Sequence, residues 1–475
     1  MGNICFALAV VYCFLLVVCN CDSSPVVQVS LLHRDGARQE AMLVDGELSW
    51  SECALTTSGM IMSQNLGRFL RQRYDSFLPT VYDSDEIIMQ SSESGRCLQT
   101  AVGVWSTLFE STPNSSAPFI FHTPKEVDYV LDFYGALPSS AIRSPYFQNF
   151  FHQFNALAAE SVNLTTLQSL FGSDICNPSN AMYCATYAQD VWQCRNSNQA
   201  FVDPRLDNMS SRLLQMQTKH NEYDFFNSTA TPSGYRSVGS LGFPLAHRFL
   251  SEARRALDNS STALLHQYSA HDNTVVGLAL ALGAISVGDG QVDHWVPRFT
   301  HTIGMDTFAN GTVSFWWAAP QEKYSSGFEF PEEATPLIVQ CLGTASPTPY
   351  YSSSCSLDDV HRFLEQSAAP STSSPECYLD AVDGMKCSNE APGDTSCASY
   401  RLACPAAACA FNPDSVLDRT SARCLSFGDS PSPETNLKIA GPAAVGAFIS
   451  GIFIGFAINR LLVICYPHDH DCTVP

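Results

Sequence analysis

The sequence predicts an α/β fold: a central, mostly parallel sheet flanked by helices, with a mainly helical cap insertion and a single C-terminal transmembrane helix. Three observations predict it. A strand-like run, a polar loop and an amphipathic helix follow one another twice near the start and once more far downstream, the rhythm of parallel strands joined by crossover helices. Between these repeats lies a long, aromatic-rich stretch of weaker periodicity. Near the end, an uncharged apolar run has about the length that spans a bilayer.

Taken in order, residues 1–24 read as a secretory signal peptide: the apolar stretch from Ile4 to Val18 gives way to small and polar residues, with cleavage expected near Cys21 to Ser24. Phe6 stands where a myristoylation motif needs Ser or Thr, which argues against a lipidated Gly2. Residues 25–110 and 251–365 are assigned to the α/β core. In "LTTSGMIMSQNLGRFLRQRY", Met62, Leu66, Phe69 and Leu70 share one helical face, and Thr56 to Ser58 are available as caps. In "EIIMQSSESGRCLQTAVGVWSTLF", a strand enters a loop at Ser92 to Gly95, and the next helix is expected to bury Leu98, Ala101, Trp105 and Leu108. Residues 111–250, with Cys176, Cys184 and Cys194, form the expected helical cap. "LLHQYSAHDNTVVGLALALG" then supplies a strand, a polar turn and an apolar helix from near Thr274. "RFTHTIGMDTFA" and "TVSFWWAA" read as a closing hairpin joined at Asn310-Gly311.

From residue 366 the composition changes. Residues 366–438 hold a Ser/Pro-rich linker, six cysteines from Cys377 to Cys424 and a stalk, which together read as a small disulfide-rich, membrane-proximal module. Residues 439–458 form the expected anchor and 459–475 a cytoplasmic tail, so the body faces the lumen or the outside as a single-pass type I protein. Six N-glycosylation sequons, at Asn114, Asn163, Asn208, Asn227, Asn259 and Asn310, lie on the exported side and none beyond the anchor. Thirteen cysteines lie between signal and anchor, an odd number, so at least one is unpaired or intermolecular. The formal net charge of -21 argues against nucleic acid or an anionic membrane surface as the main partner.

The chemistry concentrates at three strand ends: Arg34 and Arg38 after the first, Arg96 after the second, His271 and Asp272 after the third. Ligands of open α/β sheets bind beyond the carboxyl ends of strands. Three guanidiniums and an imidazole gathered there would hold a phosphate by charge-assisted hydrogen bonds, and an adjacent carboxyl could protonate a departing alkoxide. Taken singly, such residues are more often surface arginines and a satisfied turn histidine; the His-Asp pair also occurs twice in the tail, at His468-Asp469 and His470-Asp471.

In combination these segments resemble the histidine acid phosphatases, branch 2 of the histidine phosphatase superfamily. "HRDGARQE" is similar to their RHGxRxP signature, "LTTSGMIMSQNLGRFLRQRY" to the helix that follows it, "SSESGRCLQTA" to the segment of the third arginine, and "YSAHDNTVVGLALALG" to their His-Asp segment. With the anchor and stalk, the resemblance extends to the membrane-bound acid phosphatases. It implies a phosphate pocket of Arg34, Arg38, Arg96 and His271, with Asp272 as the acid for the leaving oxygen and His271 beside it at the catalytic centre. It also implies hydrolysis of phosphate monoesters at acidic pH in an endosomal, lysosomal or surface membrane. The family's nucleophilic histidine falls at position 35, where this chain has Asp35, and Glu40 replaces the motif's proline.

Three roles are open to Asp35: a nucleophile forming an aspartyl phosphate, a base acting on water, or an internal partner of Arg34, Arg38 and Arg96. The last would leave a silent pseudophosphatase that binds a phosphorylated ligand or serves in membrane trafficking. No metal or other cofactor is expected; Cys465, His468, His470 and Cys472 read as a solvated tail rather than a zinc site. A homodimer is left open.

Overall fold

The computed structural model describes residues 24–44, 47–49, 53–110, 117–125, 128, 130–132, 155–226, 242–284, 296–321, 328–346, 348–367, 415–418 and 423–426. Its centre is an eight-stranded sheet. In chain order its strands are β1 (Val26–Arg34), β2 (Ile87–Ser92), β3 (Ile120–Thr123), β4 (Leu265–Ala270), β5 (Thr302–Phe308), β6 (Thr312–Ala318), β7 (Thr335–Pro336) and β8 (Ser354–Ser356). Across the sheet they run β8-β6-β5-β1-β4-β2-β3, with β7 also pairing with β6.

The sheet is mixed, which corrects the expectation of a mostly parallel one. Strands β1, β4, β2 and β3 are mutually parallel, but β5 lies antiparallel to β1, and β6, β7 and β8 continue antiparallel from there. Between β5 and β6 the tight hairpin returns the chain at once and leaves no room for a crossover helix, so that pair is antiparallel. That hairpin turns at Asn310-Gly311, as the sequence predicted, with Gly311 at φ 81°.

The main helices are α1 (Thr57–Arg73), α2 (Gly95–Leu108), α3 (Leu164–Phe171), α4 (Ala181–Ser197), α5 (Ser210–Phe226), α6 (Phe243–Leu257), α7 (Asp272–Ala281) and α8 (Leu357–Ser367), with α1 and α2 packed on one face of the sheet and α6, α7 and α8 on the other. Alternation along β1 divides the core. Leu31 belongs to a cluster with Leu66, Phe69 and Leu70 of α1 and Val104 and Leu108 of α2. Leu32 belongs to the opposite cluster, with Phe249 and Leu250 of α6 and Val275 and Leu278 of α7. Each such side chain, fully withdrawn from water, contributes about 1.5–3 kcal/mol.

The predicted face of α1 is buried, and Thr56 caps it by accepting from the Gly59 amide. The face of α2 is rotated relative to expectation: Cys97, Ala101, Val104 and Leu108 are buried, while Leu98 and Trp105 are half-buried. The positions i, i+4, i+7 and i+11 from Cys97 meet both α1 and the sheet, so a cysteine takes the place that a leucine-based reading gave to Leu98.

Within residues 111–250, α3, α4 and the first half of α5 form a helical cluster with its own core, tied by the Cys176–Cys184 disulfide. Strand β3 and most of α6, from the same stretch, pack instead on the sheet. A second disulfide joins Cys341 to Cys355. Asn163, Asn208, Asn259 and Asn310 are exposed. Among the described residues no helix is long and apolar enough to cross a membrane. The expected anchor, the tail, all of the signal peptide but Ser24, and the cysteine-rich module apart from Gln366 and Ser367, which end α8, and a short pair of strands (Ser415–Asp418 with Arg423–Ser426) lie outside the described residues.

Candidate active site

Three parallel strands, β1, β4 and β2, end at one edge of the sheet and deliver the residues singled out above. Arg34 closes β1. Asp35 follows, held from both sides: its amide donates to the Ala270 carbonyl at 2.9 Å and its carbonyl accepts from the Thr300 amide at 3.0 Å. Strand β4 ends at Ala270, so His271 becomes the N-cap of α7 and Asp272 its first residue. After β2, Arg96 and Cys97 occupy the first turn of α2.

Two ties hold these ends together. The Gly36 amide donates to Thr100 Oγ1 at 2.9 Å, and that hydroxyl donates to the Arg96 carbonyl at 2.8 Å. Close approach of the loop to α1 depends on two glycines, because a Cβ on Gly36 would lie 2.5 Å from the Gly59 carbonyl oxygen.

Asp35 sits at the centre, 2% exposed. Its Oδ2 lies 3.1 Å from Arg96 Nε and 3.8 Å from Arg38 Nε, and its Oδ1 lies 3.9 Å from Arg34 Nε. These are ion pairs without hydrogen-bond alignment: among the described residues Oδ2 accepts no hydrogen bond. A carboxylate thus occupies the place where the guanidiniums converge.

The arginines also have other attachments. Arg34 donates to the Pro297 carbonyl and to Gln193 Oε1, lies 4.1 Å over the Phe299 ring, and pairs with Asp272 at 3.3 Å. Arg38 donates to Asp190 Oδ1 at 2.5 Å and to Cys194 Sγ at 3.3 Å. Arg96 Nη2 lies 3.1 Å from His271 Nδ1. An arginine has no lone pair to accept with, so Nδ1 is the acceptor and the imidazole proton sits on Nε2. That Nε2 faces Ser92 Oγ at 3.1 Å and the Asp132 carboxylate at 3.8 Å.

Burial, followed by the charge of Arg96, lowers the His271 pKa and so favours the neutral ring. At Asp272 the enclosure of the pocket favours the neutral acid, but Arg34 and Arg38 outweigh it and hold the carboxyl below its ordinary range. Its side chain is 42% exposed, which sets it at the mouth where a leaving group would depart. Cys97 is fully buried, and burial and then Asp35 push its thiol well above the usual range. The donor atoms of Asp35, Cys97 and His271 all lie within 4.8 Å of one another.

The structure therefore brings Arg34, Asp35, Arg38, Arg96, His271 and Asp272 into one pocket. Sequence reasoning missed Asp190, Gln193 and Cys194 of α4, Phe299 from the loop before β5, and Asp132. Nothing in their local sequence marks them, since the fold alone carries them to the arginines. Ser92 and Cys97 were within reach, because both stand in the segment that carries Arg96.

A buried cluster of guanidiniums with one imidazole thus lies at the carboxyl ends of parallel strands on an α/β scaffold, the place where open sheets of this kind hold their ligands. The family model of the histidine phosphatase superfamily (branch 2) matches residues 32–235. It is 26% identical over 295 residues to the lysosomal acid phosphatase of Rattus norvegicus, covering 57% of this chain and 67% of that protein. With the prostatic acid phosphatase of Homo sapiens it shares 27% identity over 256 residues, 50% of this chain and 62% of that protein. The matched stretch thus spans about two thirds or less of these relatives' length. Among solved structures, a Hafnia alvei phytase in complex with tartrate superposes with a TM-score of 0.52 at 15% identity, covering 73% of this chain and 98% of that one. That likeness bears on the fold alone.

Proposed function

We propose that this chain is a membrane-anchored glycoprotein that binds phosphate monoesters in the pocket of Arg34, Arg38, Arg96 and His271 and hydrolyses them slowly at acidic pH, in an endosomal, lysosomal or surface membrane. The observation that carries the reading is the convergence of these four residues, with Asp272 at the mouth, from three separate strand ends. Chance surface arginines do not meet in this way. The acid phosphatases among the relatives support the substrate class, and the four exposed sequons support a glycosylated body.

In this reading the guanidiniums take the phosphate oxygens, Asp272 gives a proton to the leaving oxygen, and Asp35 stands where the attacking group must be. Hydrolysis is slow because Asp35 already neutralises the guanidiniums that should stabilise the transferring group. A second reading, a silent pocket that only binds, is favoured by the burial of Asp35 and its pairing with three arginines.

The test is phosphomonoester hydrolysis by purified protein across acidic pH, wild type beside Asp35→His. On the first reading wild type shows a low but measurable rate that Asp272→Asn removes, and Asp35→His gains at least tenfold, about 1.4 kcal/mol. No wild-type turnover with phosphate binding intact would establish the silent pocket. No phosphate binding by any form would overturn both.

A further inference from the structure

We infer that Asp35, Cys97 and His271 form a site for a thiophilic divalent cation of the zinc class, with the Arg96 guanidinium holding the cation's place in its absence. Carboxylate, thiolate and imidazole are the donor types zinc takes, and three protein donors leave a fourth position open to the pocket. All three side chains are buried, and their donor atoms fall within 4.8 Å of one another. Cys97 Sγ and His271 Nδ1 are 3.8 Å apart, against about 3.6 Å for the sulfur–nitrogen edge of a tetrahedral zinc site. Small side-chain rotations close that difference.

Three further observations point to a cation. Buried Asp35 Oδ2 meets Arg96 Nε at 3.1 Å and Arg38 Nε at 3.8 Å, yet among the described residues it accepts no hydrogen bond. The His271 ring is already in the tautomer a metal needs: Nδ1 carries the lone pair toward the pocket, and Nε2–H faces Ser92 and the Asp132 carboxylate. A carboxylate behind a ligating imidazole is the usual support of such ligands. Finally, four carboxylates (Asp35, Asp132, Asp190, Asp272) face three guanidiniums (Arg34, Arg38, Arg96), leaving one negative charge. A divalent cation that displaces the Cys97 proton to solvent adds one positive charge, and the site becomes neutral.

Occupation requires Arg96 to swing away from Asp35 and His271, toward the pocket opening where its side chain is already 11% exposed. The bound cation would then offer its fourth position to a phosphate oxygen. The inference does not depend on hydrolysis, and phosphate binding by metal-free protein is a separate measurement, so the two readings fail separately.

The experiment uses full-length protein in detergent, stripped with chelator and titrated with cobalt(II) and then zinc alone. Wild type should show the near-ultraviolet charge-transfer band of a thiolate–cobalt bond. Cys97→Ser should lose that band and bind zinc at least tenfold more weakly, whereas Arg96→Gln, freed of the competing cation, should bind at least tenfold more tightly. Equal bands and equal zinc stoichiometry in wild type and Cys97→Ser would overturn the site and assign any bound metal to other cysteines and histidines, including those of the tail. Should Cys97→Ser fail to fold, Arg96→Gln still decides, since unchanged or weaker zinc binding there contradicts a guanidinium that competes with the metal.

Discussion

Asp35→Asn separates the charge of residue 35 from its shape. The amide fits the same space and leaves the backbone bonds to Ala270 and Thr300 in place, but it removes a negative charge lying 3.1 Å, 3.8 Å and 3.9 Å from three guanidinium nitrogens. Two opposite effects follow. Without ligand, three buried cations lose their shared counter-charge, and breaking a buried ion pair in this manner costs about 3–5 kcal/mol of stability. With phosphate present, the anion no longer meets a carboxylate about 4 Å away, a repulsion of about 4 kcal/mol at an effective dielectric of about 20. If relaxation and salt leave half of that, phosphate affinity rises by about 2 kcal/mol, roughly thirtyfold in Kd. Calorimetric titration with orthophosphate and a thermal scan with and without it read both quantities. The variant should melt lower than wild type in plain buffer and recover most of the difference in phosphate. A variant that melts like wild type and binds phosphate no better would show that Asp35 is not the internal counter-ion of this pocket.

His33 gives a second expectation, in the pH dependence of stability. Its fully buried imidazole is pushed down by burial from 6.5 to about 4, so between those values the unfolded chain takes a proton that the folded one refuses. Its contribution is whole above pH 6.5 and is lost as pH falls toward 4, by about 3 kcal/mol; denaturant titrations of wild type and His33→Gln should show a shallower slope over that window for the variant. Gly36→Ala should destabilise by about 1–3 kcal/mol and weaken phosphate binding, because its Cβ meets the Gly59 carbonyl; wild-type melting would mean that the loop can move off α1. For the proposed topology, glycosidase should shift the mass, and protease added to sealed vesicles should remove only a C-terminal tag.

Much of the site was legible because strand-end chemistry is local in sequence. Arg34 and Arg38, Arg96, and His271 with Asp272 each follow an apolar run and precede a helix, and those runs are the parallel strands. Less legible was anything decided across the fold. The sequence marked the β5–β6 hairpin, but that β5 itself runs antiparallel to β1 appears only once the two strands are laid side by side. The turn of α2 is fixed by what faces it, so Cys97 is buried where Leu98 was expected. Asp190 and Gln193 carry no mark in the periodicity of α4, yet they hold Arg38 and Arg34. The sequence did show that Asp35 departs from the pattern; its place among three guanidiniums needed coordinates.

The position of β1 in the sheet has a consequence for biosynthesis. The strand that leads into Arg34 and Arg38 precedes every other strand of the sheet, yet both its neighbours, β4 and β5, come from the far side of the cap; His33 waits for Gln267, 234 residues later. At ordinary translation speeds that interval is on the order of 10 to 50 s. Throughout it, "VVQVSLL" is an apolar ribbon with both edges open, the kind of segment that pairs with whatever it meets. Nascent chains of this protein should therefore engage chaperones from the synthesis of β1 until residue 265 is reached. Chains halted before residue 265 should aggregate through this ribbon, and the helical cap, whose core is built from its own residues, should already be folded in them.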